Sequence, residues 1–487
     1  MGEFRFSRTF CDLVPEYSLI MRRIAKSGFG AFSLAMALIG MGLAPNGVPT
    51  AKKGHLSLRP MISDRRTSPL GSSAPPTMAW CQANWQVSCF QPAQLQTAYD
   101  LEPLTQRSIQ GQGQTIAVID PFGSPTINSD LTKFDATFGI PDPPKISVIS
   151  PVGKVPPFNP RNATMVGWAG ETTLDVEWAH AMAPRASILV VTTPTDESEG
   201  TAGFPDIVAA EKFVIKNSLA TVISQSFGAT EPTFPSLKSV NGLRGAFTAA
   251  QSAGVTVIAS TGDSGATDVG LDGTTYFARP SVDWPASDPL VTAVGGTTLH
   301  LDAAGNRTSA DTVWNDSSNP SVVGSQPSPN AGGGGRSMYF SRPSFQDAVW
   351  SVTGTSRGIP DISMSAACSA LVDVYQGYQS GSSGPGWYEV CGTSEAAPVF
   401  AGIVALADQV AGHGLGTINA RLYRLATQPN NGIVDVTSGN NTVSFSGPGG
   451  ARTTVTGYGA GQGYDLASGL GTLDAALFVP ALAAAKP

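Results

Sequence analysis

From Met78 onward, short apolar, β-branched runs alternate with longer stretches of helical period. The runs fall at residues 115–119, 187–192, 221–226, 255–260 and 290–294, with helical stretches such as 204–218 and 243–253 between them. A strand that is apolar at nearly every position is buried on both faces. Alternation with helices therefore predicts an α/β chain with a doubly wound, mostly parallel sheet covered on both sides. In such sheets the functional site lies beyond the carboxyl ends of the strands. Residues 300–360, rich in Gly, Ser, Asn and Pro, read mostly as loop.

With 487 residues and 41% hydrophobic content, the chain can build a large core. Charged residues are only 13%, about half the usual share. A net charge of −7 and the lack of a basic stripe argue against nucleic acid as a partner. A sparse, mildly acidic surface suits an exported protein that meets low pH, because fewer ionised groups mean less self-repulsion.

Met21, Arg22, Arg23 and Lys26 form a basic cluster ahead of an apolar run at 28–44 that ends in small residues. That run is short for a membrane span, so residues 21–51 read as a signal peptide and the chain as secreted, without stable membrane association. Residues 1–20 are polar and read as an upstream start-site extension, with Met21 the true start. Residues 52–78, rich in Ser, Pro, Thr and basic groups, read as a flexible linker; residues 79–487 read as one domain, expected to be a monomer.

Cys11 lies in the extension. The other four cysteines allow three disulfide pairings, and Cys81–Cys89 with Cys368–Cys391 is the most local. Zinc is disfavoured because no Cys-x-x-Cys pair occurs.

The segment Gly392-Thr393-Ser394 has Pro398 four residues after the serine. An apolar run follows, with Val399, Ile403, Leu406 and Val410 at helical spacing. Ser394 is expected at or near the start of a buried helix. Unpaired N–H groups and the helix dipole favour negative charge there, as acyl transfer requires. A simple helix N-cap fits this segment equally well.

A serine nucleophile needs a base. His55, His180, His300 and His413 all lack the Gly-rich strand-to-helix setting a catalytic histidine would occupy. Glu171 and Asp175, four apart, share one helix face. Two acids so close repel when both ionise, so at least one pKa should rise, and the pair can act as a base in mild acid. The alternative is a solvated helix N-terminus. Glu177 is off that face.

Asp263, in Gly262-Asp263-Ser264-Gly265, sits at the carboxyl end of the run at 255–260, either for catalysis or as a turn former. The same tetrapeptide suits a chymotrypsin-like nucleophile at Ser264, but the β-barrel pattern and the earlier histidine are missing. No Gly-x-Ser-x-Gly elbow supports an esterase.

The ordered set of Glu171 with Asp175, then Gly262-Asp263-Ser264-Gly265, then Gly392-Thr393-Ser394 with Pro398, resembles the sedolisin family. These serine-carboxyl peptidases include endopeptidases and tripeptidyl peptidases on a subtilisin-like fold. The resemblance runs from about Met78 to the carboxyl terminus. It implies Ser394 as nucleophile, Glu171 as general base and acid, Asp175 as the carboxyl that orients Glu171, and Asp263 as oxyanion-hole donor. Only a protonated carboxyl donates a hydrogen bond, so activity is expected at acidic pH.

The resemblance also makes Ser226, Phe227 and Gly228 a strand that flanks an extended peptide substrate. Asp120 becomes an acid supporting the Glu171/Asp175 pair. Many members carry Glu at that position and Trp where Phe227 stands, so a hydrogen-bond chain should stop short at Phe227. The stretch from Arg357 to Ser363 matches a structural segment of the family. Asp435, Val436, Gly461, Gly463 and Asp465 match its loop for one Ca2+ ion, two carboxylates and three main-chain carbonyls. The expected activity is endopeptidase action on proteins or peptides, with a tripeptidyl peptidase or an inactive peptide-binding protein as alternatives. Fewer than forty residues separate the leader from the catalytic part, so a form without the family's long prodomain is expected.

Overall fold

The computed structural model describes residues 63–66, 74–380, 384–447 and 450–486. The readings for residues 1–20 and 21–51, and most of that for 52–78, lie outside these.

The main sheet is built from β1 (Thr115–Ile119), β2 (Ile146–Ile149), β3 (Ser187–Val191), β4 (Val222–Gln225), β5 (Thr256–Ser260), β6 (Thr292–Thr298), β7 (Thr312–Val313) and β8 (Ile362–Ser365). Its order is β7-β6-β5-β4-β1-β3-β2, with β8 also on β6. Every pairing is parallel except β6 with β7.

Alternate residues of the same strands feed two separate cores, as a period of two requires. Ile116, Val118, Ile188 and Val190 enter one; Ala117, Ile119, Leu189 and Val191 enter the other. Helices α1 (Ala163–Met182) and α4 (Thr393–Ala411) cover the first face. Helices α2 (Phe204–Lys216) and α3 (Gly245–Ala253) cover the second. This is the doubly wound α/β architecture expected.

Close contact between α1 and α4 depends on Gly402. A Cβ there would stand 2.6 Å from Met182 Cβ and 3.0 Å from Ala179 O. The two helices that carry Glu171 and Ser394 are thereby held at backbone distance.

A second sheet has the order Ser63–Arg66, Gly386–Cys391, Ala370–Gln376, Ser88–Phe90. Ser63–Arg66, within the stretch read as linker, pairs antiparallel with Gly386–Cys391. The disulfides are Cys81–Cys89 and Cys368–Cys391, with Cα atoms 6.0 and 4.9 Å apart.

Residues 300–360 are more ordered than a loop. Besides β7 they hold Gly335–Ser341 paired antiparallel with Ser356–Ile359. The hydrophobic alternation that marks a strand is absent there, because Gly335 and Ser337 occupy buried positions while Met338 points outward.

Arg357 and Asp361, both fully buried, pin the entry to β8. Arg357 Nη1 donates to Asp361 Oδ1 at 2.6 Å, Tyr423 donates to the same oxygen at 2.9 Å, and Ala293 N donates to Asp361 Oδ2 at 2.9 Å. No helix among the described residues is long and apolar enough to cross a bilayer.

Candidate active site

Helix α4 starts at Thr393, and its N-cap is Gly392 with φ 130°, a conformation glycine adopts at little cost. Ser394 is therefore inside the first turn rather than the cap, and it is fully buried. Pro398 lies within the helix and has no N–H to return to the Ser394 carbonyl four residues back.

Ser226, just past β4, faces that carbonyl. The Ser394 hydroxyl donates to Ser226 O at 3.4 Å. The single proton of the Ser226 hydroxyl is shared unequally between Ser394 O at 3.4 Å and Asp175 Oδ1 at 2.7 Å, and the shorter contact is the stronger.

Helix α1 begins at Asn162, whose side chain accepts from the N–H groups of Thr164 and Met165. Glu171 and Asp175 lie more than two turns further in and are fully buried, which overturns the solvated-terminus alternative. Burial, then the Asp175 charge, push the Glu171 carboxyl well above its usual range; the neighbouring Ser394 hydroxyl opposes them, and Asp120 and Asp263 add to the rise. Asp175 is also raised, by burial and by Asp120, against the Ser226 bond. Asp120 directly follows β1 and is pushed up to about 8 by burial, opposed by the Thr172 hydroxyl. No cation is among the groups that shift these three acids, and burial, the largest influence on each, favours the neutral form. Glu177 accepts instead from Tyr375 N at 3.1 Å.

Asp263 follows β5 and is partly exposed. Its Oδ1 accepts from Thr393 N at 2.7 Å and from the Thr393 hydroxyl at 2.8 Å. Loss of water raises its carboxyl to about 7 against those two bonds. With Oδ1 committed as an acceptor, the proton of the neutral form belongs on Oδ2. Ser264 donates to Asp268 Oδ1 at 3.1 Å, and no histidine contacts it among the described residues. The sheet is parallel rather than a barrel, so the Ser264 alternative fails.

Two supports escaped the sequence reading. Thr393 was given no role of its own in the serine motif, yet it holds Asp263. The glycines at 332–335 looked like loop, yet Ala331 N donates to Asp263 O at 3.0 Å and Gly333 N to Gly262 O at 2.8 Å. A Cβ on Gly333 would collide with Thr261 O. The run of glycines was the visible signal of that close approach.

Phe227 is buried, and its ring meets Trp168 edge-on with centroids 6.1 Å apart. Trp168 Nε1 has no hydrogen-bond partner, and Phe227 offers none. The described histidines are engaged elsewhere: His180 with Asp135 at 3.2 Å, His300 beside Thr312 at 3.3 Å, His413 with Gly414 O at 2.9 Å.

The pattern of the subtilase family matches residues 163–447, a span holding Glu171, Asp175, Asp263 and Ser394. The solved structure of Pseudomonas sedolisin, a serine-carboxyl proteinase complexed with two molecules of pseudo-iodotyrostatin, is similar at a TM-score of 0.63 and 29% identity, over 81% of this chain and 97% of that one. Kumamolisin of Bacillus sp. (strain MN-32) is 33% identical over 370 residues, 75% of this chain and 59% of the relative. This chain belongs to the subtilase family, and within it to the sedolisins. Another relative, tripeptidyl-peptidase 1 of Rattus norvegicus, is 31% identical over 355 residues, 71% of this chain and 56% of the relative. This sedolisin thus spans little more than half the length of these two curated relatives.

The loop matched to calcium binding in this sedolisin can be tested for fit. Gly463 N donates to Asp435 Oδ2 at 2.8 Å, and Gly461 N to Asp465 Oδ2 at 3.1 Å. Ala467 N and Ser468 N hold Asp465 Oδ1 at 2.9 and 2.8 Å. Asp435 is exposed, and the main chain of the 461–465 loop bonds to both carboxylates. Among the described residues no group of three or more His, Cys, Asp or Glu could hold a metal; the two carboxylates are oxygen donors of the type a hard cation takes.

Proposed function

We propose that the chain is a secreted serine-carboxyl endopeptidase that cleaves protein or peptide substrates at acidic pH. The observation that carries this reading is the position of Ser394. It is joined through Ser226 to Asp175 on one side, and its neighbour Thr393 holds Asp263 on the other.

In this reading Ser394 Oγ attacks the peptide carbonyl carbon and its proton passes to Glu171. Asp175, hydrogen-bonded by Ser226, holds Glu171 in place, and Asp120 adjusts the shared protons. Protonated Asp263 donates from Oδ2 to the tetrahedral oxyanion. The intermediate collapses as the C–N bond breaks and Glu171 returns the proton to the leaving amine. Water, deprotonated by Glu171, then attacks the acyl carbon; the ester C–O bond to Ser394 breaks, the carboxyl product leaves, and Glu171 returns the proton to Ser394 Oγ. The backbone of Ser226, Phe227 and Gly228 would pair with the extended substrate.

Asp435 and Asp465, with the carbonyls of Val436, Gly461 and Gly463, would hold one Ca2+, whose contribution is to stiffen the loop. Two disulfides support passage through an oxidising compartment.

Covalent labelling of Ser394 by a peptide aldehyde at acidic pH, absent in Ser394→Ala, tests the chemistry. An unlabelled chain that still binds peptide would mean a binding protein on the same fold. Similarity to a tripeptidyl peptidase favours a second reading, release of tripeptides. Product lengths from a long peptide separate it from internal cleavage.

A further inference from the structure

Glu395, the residue after Ser394, has no role in the mechanism above. It is fully buried, and neither carboxyl oxygen has a hydrogen-bond partner. Its position, third in α4, is where a capping-box glutamate reaches back to the N-cap N–H. That N–H, on Gly392, is donated to Ala366 O at 2.8 Å instead. Capping therefore does not explain a buried acid here.

The groups that face Glu395 come from three elements. Ser365, at the end of β8, brings a hydroxyl that favours the charged form, and Asp263, after β5, brings a like charge that opposes it. Tyr99, whose own ionisation the Glu395 charge opposes, has its phenol oxygen occupied by Ser365 N at 2.7 Å. Arg307 sits over the Tyr99 ring at 5.6 Å but is paired with Asp311 at 3.0 Å. No cation shifts Glu395, and burial is the largest influence on it, driving its pKa well upward.

We propose that Glu395 is a positioning residue for the Ser394 turn: its proton lets Thr393 hold Asp263, and loss of that proton sets an unpaired negative charge beneath the turn and loosens it. A buried, unpaired carboxylate costs far more than the neutral acid. The competent turn is thus stable in acid and weakens as pH rises. The catalytic consequence rests on the proposed peptidase reading; the structural consequence does not.

Thermal unfolding of the full chain at about pH 5 and about pH 8 tests it, with Glu395→Gln and Glu395→Met beside the parent. Neither variant side chain ionises, and methionine needs no hydrogen bond. Each should lose roughly 2–4 °C less of its melting temperature between the two pH values than the parent does. In the same variants the alkaline fall of kcat/KM should be shallower. Parallel melting curves for parent and variants would overturn the proposal, as would equal destabilisation at both pH values. Failure of both variants to fold in acid would also overturn it, since a neutral side chain of that length should replace the protonated acid. A chain with no peptidase activity leaves the melting comparison intact, so the two readings fail separately.

Discussion

Thr393 gives both of its protons to a single oxygen of Asp263, the N–H at 2.7 Å and the hydroxyl at 2.8 Å. Asp263 therefore has one oxygen left to carry a proton outward. The residue beside the nucleophile and the acid after β5 form one rigid unit.

If the chain acts as proposed, that unit should set the alkaline limit of activity. Asp263 is raised to about 7, so its neutral, donating form is present below that pH and lost as pH rises through it. Activity should fall above neutrality in a pH–rate profile. Asp263→Asn keeps an acceptor for Thr393 and an uncharged donor, and should flatten the alkaline limb. Asp263→Ala should lower kcat roughly 10²–10³-fold at the optimum.

Ser226→Ala removes the donor to Asp175. That bond lowers the Asp175 pKa, so its loss should move the acidic limb of the profile to higher pH. A hydrogen bond to a charged group contributes about 1.5–3 kcal/mol, so kcat should drop about 10–100-fold. An unchanged acidic limb would mean that Ser226 does not steer the pair.

Calcium should stabilise the fold through the 461–465 loop. At about 100 times the dissociation constant, a bound ion adds about 2.7 kcal/mol. Melting temperature should rise with added Ca2+ and fall with chelator in the parent. Asp435→Ala should respond to neither.

Arg357→Met leaves Asp361 as a buried charge without its cation, at a cost of about 3–5 kcal/mol. The double variant Arg357→Met/Asp361→Asn keeps an acceptor for Ala293 N and should recover part of that loss. Urea unfolding at acidic pH measures both.

Much of this was legible beforehand. The buried strands announced themselves through unbroken apolar runs, and β1, β3, β4, β5 and β6 start within two residues of the expected positions. The acids and the serine stood out as an ordered motif. What stayed hidden depends on meetings across the chain. Thr393 and Asp263 are 130 residues apart, and Ser226 and Ser394 are 168 apart; no local period reveals either. The strands between 335 and 359 were missed because Gly335 and Ser337 take buried positions in the first and Arg357 and Gly358 take them in the second, so a run of alternating hydrophobic residues never appears.

Pro398 has one further consequence. The absent backbone rung above Ser394 is covalent in origin, identical in every molecule and indifferent to temperature, salt or acidity. Ordinary fraying of a helix end fluctuates; this gap does not. The Ser394 carbonyl is thus left open by composition to a side-chain donor, the Ser226 hydroxyl, on a helix whose residues from Thr393 to Asp408 are all buried.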